Sequence, residues 1–137
     1  MRSRRTATPA AGILLLVALV AVAEADTDAA DVAALGNLYS SWNSPAQLTG
    51  WSASGGDPCG AAWTGVSCSG SAVTSIKLSG MELNGTLGYQ LSSLQALKTM
   101  DLSNNYLHDA IPYQLPSDLT YLNLAKNNFS GNLPYSI

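Results

Sequence analysis

The sequence predicts an α/β fold, a right-handed solenoid of short parallel strands with a helical, disulfide-bonded cap at its N-terminal end. Three observations predict it. A unit beginning at Val73 recurs at Leu97 and again at Leu119, with apolar residues at the same six positions. Within each unit the first apolar residues alternate, the period-2 signature of a strand with one buried face. Ahead of the units the apolar residues fall at helical spacing instead, and the two cysteines of the chain stand between the two patterns.

Residues 1–25 are read as a segment apart. They open with Arg2, Arg4 and Arg5, continue into the 11-residue apolar run Ile13–Ala23, and reach the small residues of Ala23-Glu24-Ala25. A basic start, a short apolar middle and an A-x-A site make a secretory signal peptide, expected to be cleaved after Ala25 or after Ala23. The competing reading, a membrane anchor, needs about 20 apolar residues to span a bilayer. Removal of this segment takes every arginine with it and leaves Lys77, Lys98 and Lys126 against eight acids, a net charge of −5. Such a chain lacks the basic surface that phosphate binding requires, so nucleic acid is not an expected partner.

Residues 26–70 are expected to form the cap. Val32, Leu35, Leu38, Tyr39 and Trp42 lie at helical spacing, with Asp28 as N-cap and Asp31 three residues on. Ser44–Gln47, "SPAQ", reads as a capping box with proline at the first helical position, opening a short turn that Gly50 ends. Trp51 and Trp63 give a small cap large bodies to bury. Cys59 and Cys68 lie in "DPCGAAWTGVSC", and an even count in an oxidising compartment points to a disulfide. A zinc site is the rival, but two thiols and one distant histidine are a poor ligand set.

Residues 71–137 hold about three repeats: 73–96, 97–118 and 119–137, the last incomplete. Positions 1, 4, 6, 11, 15 and 19 are apolar in all three, matching the leucine-rich pattern L-x-x-L-x-L-x-x-N-x-L. Asn105 and Asn127 occupy position 9, where a buried amide can bond backbone groups of its own and adjacent turns. Gly85 and Gly131 at position 13 allow a bend; Pro112 and Pro134 at position 16 hold an extended return. The first repeat has Met81 for asparagine, as terminal repeats are often atypical. The second has Asp109 for glycine, so its bend is expected to be made differently.

The helix, then Leu48 and Trp51, then Cys59, Trp63, Gly65, Val66 and Cys68 in "C-x3-W-x-G-V-x-C" resemble the N-terminal cap of plant receptor leucine-rich-repeat domains. With "DAIPYQLPSDLTYLNLAKNNFSGNLPYSI" added, residues 28–137 resemble the STRUBBELIG-receptor family, plant receptor-like kinases with a short repeat ectodomain, a membrane span and a kinase-like domain. The resemblance implies a plant-type solenoid, a secretory route to the extracellular face of the plasma membrane, and a non-catalytic recognition segment for a peptide or co-receptor. It also implies that further repeats follow Ile137, and the third repeat stops at its position 19 without a closing cap, so a fragment is expected. A free-standing secreted short protein of the apoplast, a decoy or an inhibitor of a wall-directed enzyme, is the alternative.

Candidate chemistry is sparse. No Gly-rich phosphate loop, HRD or DFG occurs, so the chain is not read as an enzyme, and no cofactor is expected. His108, the lone histidine, is placed on a loop and lacks the partners a catalytic site requires. Asn84-Gly85-Thr86 and Asn128-Phe129-Ser130 are sequons, with Asn84 and Asn128 the glycosylation candidates. The polar residues interleaved on the strands form the candidate partner-binding concave face: Thr74, Lys77 and Ser79 in the first repeat, Lys98, Asp101 and Ser103 in the second, Thr120, Tyr121, Asn123 and Lys126 in the third.

Overall fold

The computed structural model describes residues 26–132. The expected signal peptide, and Leu133, Pro134 and Ile137 of the third repeat, lie outside the described residues.

Helix α1 (Ala29–Ser41) opens the cap. Its buried face runs through Asp31, Ala34, Leu35 and Leu38 and continues to Trp42, so the stripe is rotated from the expected one and Val32 is only half-buried. Asp28 holds the N-cap position without capping through its side chain; its Oδ1 accepts the Ser71 hydroxyl at 2.8 Å. Asp31 turns inward, where its Oδ2 accepts the Val73 N–H at 2.9 Å. Both acids bind the first repeat rather than the helix end.

The helix stops because Asn43 and Ser44 both take positive φ (63° and 48°), with the Ser44 N–H closing back onto the Tyr39 carbonyl. Ser44 is thereby consumed in ending α1, and the expected capping box over Ser44–Gln47 does not form. The segment is a series of turns, and Gln47 reaches instead to the Met81 carbonyl at 2.7 Å.

Strand β1 (Val66–Ser69) pairs antiparallel with β2 (Ala72–Lys77). Strands β4 (Thr99–Asp101) and β6 (Tyr121–Asn123) continue the sheet in parallel, giving the order β1-β2-β4-β6. The register stacks Ser75, Thr99 and Tyr121 in one row, Ile76, Met100 and Leu122 in the next, and Lys77, Asp101 and Asn123 beyond. β1 therefore covers the edge that the first repeat would otherwise leave open.

A second parallel sheet lies on the return side of the repeats. It consists of β3 (Asn84–Gly85), β5 (Tyr106–Ala110) and β7 (Asn128–Ser130). Sequence alternation was too short there to announce strands. His108 lies in β5, not on a loop, with Nδ1 2.9 Å from Asp109 Oδ1. Asp109 itself adopts φ 68°, close to the 80° of Gly131, so the second repeat bends as the third does. Aspartate is among the few side chains that enter the left-handed region readily.

Between the sheets and under α1 sits one core, including Leu35, Leu38, Ile76, Leu78, Leu83, Leu97, Met100, Leu102 and Leu107.

Candidate functional site

Cys59 and Cys68 form a disulfide with Cα atoms 5.6 Å apart. It ties the loop ahead of Trp63 to β1, and Thr27 clamps the same loop by accepting the Cys59 N–H and donating to Asp57. Trp42, Trp51 and Trp63 pack in a chain, with ring centroids 5.8 and 5.2 Å apart. Two of their N–H groups donate to the backbone: Trp51 to the Thr64 carbonyl and Trp42 to that of Thr86. The second of these bonds joins the cap to the first repeat.

Asn105 shows what position 9 does. Its Oδ1 accepts the N–H groups of Met81 and Leu83 at 3.0 and 2.9 Å, while Nδ2 donates to the carbonyls of Leu78, Leu102 and Ser103. One buried amide thus satisfies backbone groups of two successive turns. Asn127 Oδ1 accepts the Leu107 N–H, and its Nδ2 donates to Leu102, Leu124 and Ala125. At Met81, where the pattern lacks asparagine, Gln47 of the cap binds the local carbonyl.

On the outer face of the four-stranded sheet, Lys77, Lys98, Thr120, Tyr121 and Lys126 are exposed and Thr74 half-buried. Ser79 is exposed too, but hydrogen-bonds across the ladder to Ser103 at 2.8 Å. Ser103 departs from the expected surface set: it is buried, and its hydroxyl and N–H both donate to Asp101 Oδ1 at 2.7 and 3.0 Å. Asp101 is consequently half-committed to holding the strand end. Asn123 does the same one repeat later, accepting the Ala125 N–H. Sequence reasoning missed Thr99, which the register places in the row of Tyr121; alternation alone would have found it at position 3. Ser75 shares that row, but its hydroxyl is buried and has no hydrogen-bond partner among the described residues. Asn84 and Asn128, the sequon asparagines, are both exposed and lie on β3 and β7. No helix among the described residues is long and apolar enough to cross a membrane.

Comparison with known proteins agrees with this geometry. The leucine-rich-repeat N-terminal domain model matches residues 28–69, and the leucine-rich-repeat model matches 96–117 and 118–137. Protein STRUBBELIG-RECEPTOR FAMILY 5 of Arabidopsis thaliana is 50% identical over 110 residues, covering 80% of this chain and 16% of the relative. STRUBBELIG-RECEPTOR FAMILY 2 of the same plant is 44% identical over 124 residues, covering 90% of this chain and 17% of the relative. A chain of the BIR3–SERK2 complex from Arabidopsis thaliana superposes with a TM-score of 0.65 at 30% identity, covering 76% of this chain and 60% of that one. The fold and cap define a plant leucine-rich-repeat receptor ectodomain. Within that class its sequence is similar to members of the STRUBBELIG-receptor family. It spans about a sixth of the length of the curated relatives it matches (16% and 17%).

Proposed function

We propose that this chain is a non-catalytic extracellular recognition segment of a receptor-like kinase, engaging a peptide or a co-receptor ectodomain through the outer face of its four-stranded sheet. One observation carries the reading. The parallel register stacks chemically unlike side chains in rows (Lys77, Asp101, Asn123; Thr99, Tyr121) over a backbone that the asparagine ladder holds still. A rigid face of mixed hydrogen-bonding groups and one large aromatic is suited to protein recognition. The similarity to a chain of the BIR3–SERK2 complex supports a protein partner.

Parallel strands sit ~4.8 Å apart, so the three repeat strands span roughly 10–15 Å. A standard interface buries about 800 Å² per partner. This segment therefore supplies part of a contact surface rather than all of it.

The test is calorimetry of the secreted chain against the SERK2 ectodomain. Lys77→Glu combined with Tyr121→Ala is expected to weaken binding about tenfold or more with the melting midpoint unchanged. Absence of binding, or equal affinity of the variant, rejects the reading.

A further inference from the structure

Position 17 is a tyrosine in every repeat: Tyr89, Tyr113 and, outside the described residues, Tyr135. Glutamine follows the first two, as Gln90 and Gln114. Tyr89 is 79% and Tyr113 64% exposed, whereas no tryptophan of the chain exceeds 7%. The core does not explain two large, mostly exposed rings at the repeat period. Their placement is also firm. The Tyr89 N–H donates to Asn37 Oδ1 at 3.0 Å, and Gly88 lies so close to that amide that a side chain there would collide with it. A one-turn 3-10 helix, Leu91–Ser93, follows at once. The backbone is fixed and the ring is aimed outward.

Two clefts flank Tyr89. One, of about 680 Å³, runs beside α1 and includes Asn37, Ser40, Tyr89 and Gln90 in its wall. The other, of about 450 Å³, lies between the tyrosines and includes Ser92, Pro112 and Gln114. Neither wall contains a charged residue, although the chain beyond residue 25 carries a net charge of −5. Neither contains any residue of the outer face of the four-stranded sheet.

We propose that the tyrosine ladder and its two clefts bind a neutral, linear oligosaccharide. A pyranose ring has an apolar C–H face and a rim of hydroxyls. The face stacks on an exposed tyrosine, which offers a flat apolar body with a polar tip. The rim needs groups that both donate and accept, and the amides of Asn37, Gln90 and Gln114 and the hydroxyls of Ser40 and Ser92 supply them. An acidic glycan would call for lysine or arginine, and the clefts have none. Platforms repeated by the solenoid suit a ligand that is itself a repeat. A proline-rich helix also docks on aromatic ridges, but it presents carbonyl acceptors without donors and would leave the amide oxygens of Gln90 and Gln114 unmatched.

The experiment is calorimetric titration of the secreted full chain with cellohexaose and mannohexaose, with hexagalacturonate and decaproline as comparisons. Saturable binding of at least one neutral hexamer is expected, with none of hexagalacturonate. Tyr89→Ala and Tyr113→Ala should each weaken it about 2- to 10-fold, the range that loss of one aromatic contact implies. Tyr89→Phe with Tyr113→Phe should keep most of the affinity, and Lys77→Glu all of it. Melting midpoints serve as the fold control. No saturable binding of either neutral hexamer, unchanged affinity in the double alanine variant, or preferential binding of decaproline overturns the proposal.

Discussion

Single residues carry unequal loads in this fold, and hydrogen-bond counts say which matter. Asn105 accepts two backbone N–H groups and donates to three carbonyls, and is 5% exposed. Asn127 accepts one N–H and is less buried. An unsatisfied buried polar group costs about 1–3 kcal/mol. Asn105→Ala should therefore destabilise by about 3 kcal/mol or more and Asn127→Ala by about half as much, measurable by denaturant unfolding. Equal losses would contradict the accounting. Asp31 behaves differently. Burial raises its pKa above the ordinary 3.8, the Val73 N–H pulls it down, and the Asp28 charge raises it further. The folded state thus keeps a proton that the unfolded chain has already lost. Stability contributed by this group falls as pH rises from about 4 through the raised pKa, then levels off. Asparagine stays neutral and can still accept the Val73 N–H. The midpoint of Asp31→Asn relative to the native chain should consequently improve between pH 4 and pH 7; a constant difference would remove the carboxylate from the pH response.

At the scale of elements, the joint between α1 and the first repeat is the point most exposed to small changes. Ser41 and Trp42 both donate to the Thr86 carbonyl, and a Cβ on Gly85 would overlap the Ser41 carbonyl oxygen. Gly85 also sits at φ 145°, a backbone that side chains avoid. Gly85→Ala should push the helix off the repeat and cost roughly 3 kcal/mol or more, in the range of steric strain in a packed core. Near-native melting would show that the helix can slide without loss. The disulfide secures the other side of the cap. It closes a loop with a sequence separation of 9, for which chain entropy gives about 2–3 kcal/mol. Cys59→Ala with Cys68→Ala should lower the melting midpoint accordingly; an unchanged midpoint would mean that the tryptophan chain alone holds the cap.

Across the whole molecule, order of stability should follow position in the stack. Ile76 and Met100 are fully buried, as are Leu83 and Leu107, while their third-repeat counterparts Leu122 and Phe129 are only partly buried. A solenoid unit is stabilised by the neighbours on its two sides. In a chain limited to these 137 residues, amide protons of β6 should accordingly exchange about tenfold faster or more than those of β2 and β4, through local opening of the less covered unit. Hydrogen exchange followed by mass spectrometry checks this, and uniform protection across the three strands would refute it.

The repeat, its register offsets, the asparagine positions and the cysteine pair were legible from the residues alone. These depend on periodicity and local chemistry, which survive without any knowledge of what faces what. The sequence could not show that Ser44 would end α1 instead of starting a new turn, because that required the Tyr39 carbonyl to lie within reach. Nor could it show that Asp28 and Asp31 would serve the first repeat, that Ser103 would be buried beneath Asp101, or that Asp109 would bend as a glycine does. Each of those outcomes turns on a partner distant in sequence or on a backbone angle imposed by stacking. A polar side chain announces that it needs a hydrogen bond; only the packed structure decides which group supplies it, since burial removes water as the alternative.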